Sequence, residues 1–138
     1  MRPRGINIPP VEPERIDAVV AALSRFDRLV EVGIGRQPGV AAALAAAGKH
    51  VVATDVHRRD VPGGVRFVRD DVTDPDPSVY AGADAVYALN CPPELHRPAL
   101  DVARRVDAAF LFTTLGGDPP AVDATPTTLP GETLYRAR

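Results

Sequence analysis

The sequence has no tryptophan, one methionine and a single cysteine, Cys91, and its aromatic content is only 5%. One cysteine excludes an intrachain disulfide and a cysteine-based zinc knuckle. We therefore expect a protein of a reducing compartment, the cytoplasm. The chain also lacks any run of about 18 uninterrupted apolar residues, so we expect no membrane span.

The sequence also has no large excess of positive or negative charge. Sixteen basic residues face 18 acidic ones, which gives a net charge of -2 and no electrostatic signal for nucleic acid or an anionic membrane. The first 15 residues are proline-rich and charged, without the apolar core of a signal peptide. The length of 138 residues predicts one domain over residues 1–138.

Helical and strand-like segments alternate along the chain after an N-terminal arm, residues 1–13, that we expect to be irregular. The alternation predicts a single-domain, Rossmann-like α/β fold with a mostly parallel sheet in the order 3-2-1-4-5 and helices on both faces. We expect a loop over 116–131 and then a short edge strand over 132–138. The predicted helices cover 13–26, 38–48 and 91–106, and the predicted strands cover 28–33, 50–55, 65–71, 83–90 and 107–115.

A glycine-rich turn, "VEVGIGRQPG", follows the first predicted strand. Gly33 and Gly35 can adopt positive φ and leave the backbone open to a ligand. The helix that follows points free N–H groups toward the same place, which suits a phosphate or a carboxylate. The alternative is a tight strand–helix turn that binds nothing.

Two acidic residues narrow the choice of ligand. Asp55 ends the second predicted strand, 22 residues after Gly33, close to the spacing at which a carboxylate accepts hydrogen bonds from ribose hydroxyls. The alternative is that Asp55 is a helix cap or an ordinary loop aspartate. Glu31 lies inside an apolar strand, where an unpaired charge is costly, and a cationic ligand would give it a partner.

An Asp-Asp pair ends the third predicted strand, in "FVRDDVTD". Asp71 could accept from an adenine amino group, and the backbone N–H of Val72 could donate to a ring nitrogen. The alternative is that these aspartates are solvated turn residues that cap the next segment.

The segments "VEVGIG", "VVATD", "FVRDDV" and "ADAVYALNCPPEL" resemble the successive motifs of class I S-adenosylmethionine-dependent methyltransferases. More narrowly, the chain resembles a small, uncharacterised archaeal family with a truncated version of that fold. The resemblance implies S-adenosylmethionine as cofactor. It implies these roles: Glu31 at the glycine loop or cofactor, Gly33 and Gly35 at its methionine portion, Asp55 at ribose, Asp71 and Val72 at adenine, and Asn90 at the transferable methyl group.

The sequence also departs from the large family. Gln37 occupies the position of its usual third glycine. "NCPPEL" is similar to the Asn-Pro-Pro-aromatic motif of enzymes that methylate amino nitrogens, but Cys91 is inserted and Glu94 replaces the aromatic residue. These changes argue against methylation of a nucleobase or a glutamine.

Three functions remain open from the sequence. The first is a protein that binds S-adenosylmethionine, a small methyltransferase of unknown substrate. The second is an NAD-binding protein, and the third is a non-catalytic module that acts through a protein partner or as a homodimer. The first two functions imply a small nucleoside-type ligand, and the third implies a protein partner or a second copy of the chain.

Other residue types contribute less. The three histidines lack metal-ligand spacing, so we expect no metal, and we expect His57 and His96 to be exposed. Cys91 is expected to be a partly buried, inert thiol. Arg58 and Arg59 could clamp a phosphate or simply be solvated.

Overall fold

Seven β-strands form one sheet at the centre of the computed structural model, which describes residues 12–138. The strands lie in the order β3-β2-β1-β4-β5-β7-β6. The strands are β1 (Arg28–Glu31), β2 (His50–Asp55), β3 (Val65–Arg69), β4 (Ala85–Cys91), β5 (Ala109–Thr114), β6 (Ala124–Leu129) and β7 (Glu132–Ala137). The helices are α1 (Glu12–Leu23), α2 (Gly39–Ala46), α3 (Pro77–Tyr80) and α4 (Pro93–Arg105).

The first five strands are parallel and confirm the predicted order 3-2-1-4-5. Strand β1 pairs with β2 on one side and with β4 on the other. The chain therefore changes direction across the sheet next to β1. Ligands of open α/β sheets bind at such a switch point, beyond the carboxyl ends of the strands.

The C-terminal hairpin makes the sheet mixed and corrects two predictions. Strand β7 is antiparallel to both β5 and β6, so it lies inside the sheet and not at its edge. The prediction of a loop over 116–131 is wrong for β6, which forms the edge. Its sequence, "ATPTTL", is mostly exposed and contains a proline, which an edge strand tolerates because its outer backbone groups need no partner strand.

Helices cover both faces of the sheet, as predicted. Side chains of α1 and α2 pack on one face in a cluster that includes Leu29, and those of α3 and α4 pack on the other in a cluster that includes Val30. This division follows from the alternation of side chains along β1. Helices α1 and α2 approach closely, because a Cβ atom added at Gly39 would lie 2.8 Å from Ile16 Cδ1.

The N-terminal arm predicted over residues 1–13 falls mostly outside the described residues. Its last two residues, Glu12 and Pro13, belong to α1, so the arm is shorter than predicted. Proline in a first helical turn has no N–H to leave unpaired, which suits this start. Within residues 12–138, no helix is long and apolar enough to cross a membrane.

His96 is fully buried, so the prediction that it is exposed is wrong. Its Nδ1 accepts a hydrogen bond from the backbone N–H of Ala121 at 3.0 Å, and its Nε2 donates to the carbonyl of Cys91 at 2.9 Å. The ring also lies 4.5 Å from that of Phe112. The histidine thus joins α4 to the end of β4 and to the segment that leads into β6.

The variant His96→Phe keeps an aromatic ring at this position but removes both hydrogen bonds. We expect it to lower the free energy of unfolding by about 1–3 kcal/mol, because the Cys91 carbonyl is left buried without its donor. Urea denaturation measures this change. The neighbouring variant Arg97→Ala, at an exposed position, is the control and should change stability by less than about 0.5 kcal/mol. Equal stabilities of His96→Phe and the wild type would contradict the linking role.

Candidate functional site

The glycine turn between β1 and α2 forms one wall of a cavity of about 290 Å³. Gly33 and Gly35 both adopt positive φ, +70° and +57°, which side chains rarely tolerate. The turn is held against β2, because the N–H of Ile34 donates to the Thr54 carbonyl at 3.0 Å. The cavity is lined by Glu31, Gly33, Ile34, Gly35, Arg36, Gln37, Leu89 and Asn90.

Glu31 is buried at the base of this cavity, with 1% of its surface exposed. Its Oε1 accepts a hydrogen bond from the Tyr87 hydroxyl at 2.7 Å. Among residues 12–138, no group donates to its other oxygen. Burial raises the pKa of Glu31 to about 8, although the Tyr87 hydrogen bond acts in the opposite direction. A cation in the cavity would favour the ionised form and lower that pKa.

Asp55 fastens the end of β2 to the glycine turn. Its Oδ2 accepts from the N–H of Gly35 at 2.9 Å, and its Oδ1 accepts from the N–H of His57 at 2.9 Å. The Arg59 Nε lies 3.5 Å from Oδ1. Burial alone would raise the pKa of Asp55, but the two backbone hydrogen bonds and Arg59 lower it below its ordinary value. Oδ2 keeps a lone pair with which it could accept from a ribose hydroxyl.

Asn90 also lines the cavity, near the end of β4. The pairing of β4 with β5 is irregular between Ala88 and Cys91, and Asn90 has a φ of +50°. Asparagine tolerates this conformation better than most residues. The N–H of Asn90 donates to the Thr113 hydroxyl at 2.7 Å, which holds the backbone there and leaves the side chain exposed at the cavity.

Cys91 follows Asn90 in the chain, but its side chain belongs to the core cluster under α3 and α4. It is 2% exposed. Burial, and to a smaller extent the nearby charge of Glu94, raises the pKa of its thiol to about 12. A thiol with such a pKa is almost entirely protonated and unreactive near neutral pH. Cys91 is thus more fully buried than predicted, and its inertness stays a prediction.

Asp71 and Val72 lie apart from the glycine turn. Asp71 borders a second cavity of about 470 Å³, together with Val56, Arg69 and Asp70, and the two cavities share no lining residue. The Asp71 carboxylate accepts from the side chain and the N–H of Thr73, at 2.7 and 2.9 Å, which lower its pKa. The Val72 side chain is buried in the core. The structure thus places Asp71 beside a different cavity from the glycine turn, and Asp71 also has the turn role that we kept as its alternative.

The cavity beneath the glycine turn is open, because Arg36 and Gln37 line it from exposed positions and do not fill it. Helix α2 begins nearby at Gly39, and no side chain caps its first turn. Its free N–H groups are suited to a carboxylate. Within residues 12–138, no three histidine, cysteine or acidic side chains are grouped so that they could hold a metal ion.

One residue of the site escaped the sequence reasoning. Tyr87 is aligned with Glu31 in the register of β1 and β4 and holds its carboxyl group. The sequence does contain a signal for this contact. Tyr87 is a polar aromatic residue in an otherwise apolar strand, and the neighbouring strand carries the buried acid Glu31. This signal can be used only once the order of the two strands is known.

The fold is a Rossmann-like α/β fold, similar to that of methyltransferases of known structure. An RNA methyltransferase from Salinibacter ruber, solved with S-adenosyl-L-homocysteine, is 18% identical, with a TM-score of 0.62 over 94% of this chain and 92% of that one. A magnesium protoporphyrin IX methyltransferase from Synechocystis, solved with bound SAM, is 15% identical, with a TM-score of 0.63 over 88% and 76% of the two chains. At these identities the likeness shows the fold alone.

The chain belongs to the uncharacterised protein family UPF0146, whose model matches residues 14–137. A UPF0146 protein of Halobacterium salinarum is 61% identical over 104 residues, which are 75% of this chain and 81% of the relative. A UPF0146 protein of Archaeoglobus fulgidus is 48% identical over 91 residues, 66% of this chain and 70% of the relative. The resemblance to a small archaeal family with a methyltransferase-like fold is thereby confirmed.

The raised pKa of Glu31 predicts how stability depends on pH. Because the folded protein binds this proton more tightly than the unfolded chain, Glu31 stabilises the fold fully below pH 4.5, and its contribution falls as the pH rises toward 8. Wild type should therefore lose about 1.4 kcal/mol per pH unit in this range relative to Glu31→Gln, which carries no titrating proton. Urea denaturation of both proteins from about pH 5 to about pH 8 measures the difference. A constant difference would contradict the burial of a protonated carboxyl group.

Proposed function

We propose that this protein binds S-adenosylmethionine at the cavity under the glycine turn and that it is a small methyltransferase. The observation that carries the proposal is the buried Glu31 carboxyl group in the wall of that cavity, held on one side only, by Tyr87. A buried acid without a basic partner is costly, and a cationic ligand compensates for its charge.

The two charges of the methionine portion find opposite partners around the cavity. Its α-ammonium group suits Glu31, and its carboxylate suits the uncapped first turn of α2. Gly33 and Gly35 bring no Cβ atom into the space between them. The prediction that these residues hold the methionine portion is thus compatible with the chemistry of the cavity.

The adenosine portion is assigned to the ends of β2 and β3. Asp55 has an acceptor lone pair for ribose, and the second cavity, beside Asp71, has room for a base of adenine size. Asp71 and the backbone of Val72 remain our proposed adenine contacts. This assignment requires one ligand molecule to span both cavities and to cross the loop that begins at Val56.

Asn90 is our proposed contact to the group that receives the methyl. S-adenosylmethionine supplies a methyl group already activated on a sulfonium, so the protein has mainly to position the acceptor and exclude water. Asn90 can do this with either its amide oxygen or its amide N–H groups, because it lines the cavity.

The alternatives have less support. An NAD pyrophosphate at the glycine turn would lie beside the Glu31 carboxyl group and would disfavour its ionisation. A non-catalytic module would be favoured by a cavity filled with its own side chains, and this cavity is open. A homodimer or a protein partner stays a prediction.

Isothermal titration calorimetry tests the proposal directly. We expect S-adenosylmethionine to bind with a dissociation constant in the micromolar range, about 10⁻⁶ to 10⁻⁴ M, and NADH not to bind. S-adenosyl-L-homocysteine should also bind, since it keeps the ammonium group. The absence of heat with either S-adenosyl ligand at millimolar concentration would remove the proposal, and NADH binding in their place would favour the NAD alternative.

The affinity for S-adenosylmethionine should depend on pH through Glu31. As the pH rises from about 6 toward 8, ionisation of Glu31 becomes easier, so the affinity should increase by up to about tenfold per pH unit. The α-ammonium group itself titrates near pH 8, by analogy with an α-amino group at about 7.7–8.0. The control is therefore Glu31→Gln, which should bind more weakly than wild type at pH 8 and show no such increase. Identical pH profiles would contradict the role of Glu31.

The variant Asp55→Asn tests the ribose contact. We expect the affinity for S-adenosylmethionine to fall at least about tenfold, because the amide has one acceptor oxygen where the carboxylate has two. Some loss of stability is also expected from the weakened contacts to Gly35 and His57. Asp60→Asn, an exposed change in the same loop, is the matched control and should alter neither property. Folded Asp55→Asn protein with wild-type affinity would contradict the assignment.

A further inference from the structure

A third cavity, of about 480 Å³, lies at the β3 edge of the sheet, and three of the residues around it are arginines. We call it the arginine cleft. Its volume is in the range of small-molecule sites. It is lined by Arg58, Arg59, Asp60, Val61, Phe67 and Arg69.

Two elements build the arginine cleft. Phe67 and Arg69 are two residues apart on β3 and therefore share a face of the sheet. The loop between β2 and β3 supplies the other wall, with Arg58 and Arg59. The Arg69 Nε donates to the carbonyl of Val56 at 2.9 Å, which fixes that guanidinium on the loop.

Among residues 12–138, only one of the three arginines of the cleft forms an ion pair, Arg59 with Asp55 at 3.5 Å. Three guanidinium groups line the cleft against the single carboxylate of Asp60, although the whole protein has a net charge of -2. Within residues 12–138, Arg58 has no hydrogen bond or ion pair. Like charges held together repel each other unless an anion lies between them.

Arg59 is already held on one side. Its Nε is buried and forms an ion pair with Asp55 Oδ1 at 3.5 Å, a distance longer than that of an ordinary charged hydrogen bond. The ion pair fixes the Arg59 guanidinium beside the cleft that Arg59 also lines.

We propose that the arginine cleft binds the phosphate group of a nucleotide. The planar N–H forks of arginine match the oxygens of a phosphate, and Val61 and Phe67 offer an apolar wall to the remainder of the ligand. S-adenosylmethionine carries no phosphate, so this ligand is a second one. The inference does not depend on the proposed function.

The experiment uses the whole protein and follows the Nε–H signals of its arginines by NMR. The probes are sodium phosphate, uridine 5′-monophosphate and uridine, each at constant ionic strength. A uridine nucleotide avoids competition for the proposed adenosine contacts. We expect saturable shifts at Arg58, Arg59 and Arg69 with phosphate and with the nucleotide, tighter binding of the nucleotide, and no shifts with uridine.

Two variants with a matched design decide whether the cleft is the site. Arg58→Ala should weaken nucleotide binding at least about fivefold, because it removes a charged donor that makes no hydrogen bond or ion pair among the described residues. Arg66→Ala removes an exposed arginine from the other face of β3 and should leave binding unchanged. Binding of S-adenosylmethionine to Arg58→Ala should equal that of the wild type, which separates this inference from the proposed function.

Three results would overturn the inference. The first is the absence of saturable shifts up to about 20 mM nucleotide. The second is an equal loss in Arg58→Ala and Arg66→Ala, which would mean diffuse surface charge. The third is equal shifts with uridine, which would mean that the phosphate is not the recognised group.

Discussion

The carboxyl group of Glu31 is the constraint on which the site depends. It is buried where β1 meets β4, the crossover at which an open parallel sheet offers space for a ligand. Tyr87, aligned with it on β4, satisfies only one of its oxygens. Protonation stabilises this arrangement in the free protein, and a cation in the adjoining cavity would replace the proton. Folding and ligand binding are therefore coupled to the same titrating group.

The glycine turn and Asp55 form the second part of the account. Asp55 accepts from the N–H of Gly35, so the turn is held in an open shape before any ligand arrives. Preorganised contacts of this kind lower the cost of ordering a loop on binding. The likeness to methyltransferases of 15% and 18% identity establishes the fold, whereas the function must be argued from these contacts.

The sequence predicted best what depends on strand order. Glu31 and Asp55 lie on adjacent strands, so the order 3-2-1-4-5 already brings the glycine turn, the acid and Asp55 together. Prediction from the sequence failed where a side chain forms hydrogen bonds with backbone atoms that are distant in the sequence. His96 is buried because the Cys91 carbonyl and the Ala121 N–H bind its ring, and no pattern in the sequence reveals such a contact. Strand β6 was missed because its threonines and proline are typical of a loop as much as of an exposed edge.

The most direct test of the account is the titration of the Glu31 side-chain carboxyl by carbon NMR, in the free protein and with saturating S-adenosylmethionine. The account predicts a pKa of about 8 in the free protein, assigned by its loss in Glu31→Gln, and a fall well below neutrality when the ligand is bound. A pKa close to the ordinary value of 4.5 in the free protein, or one that the ligand leaves unchanged, would contradict it.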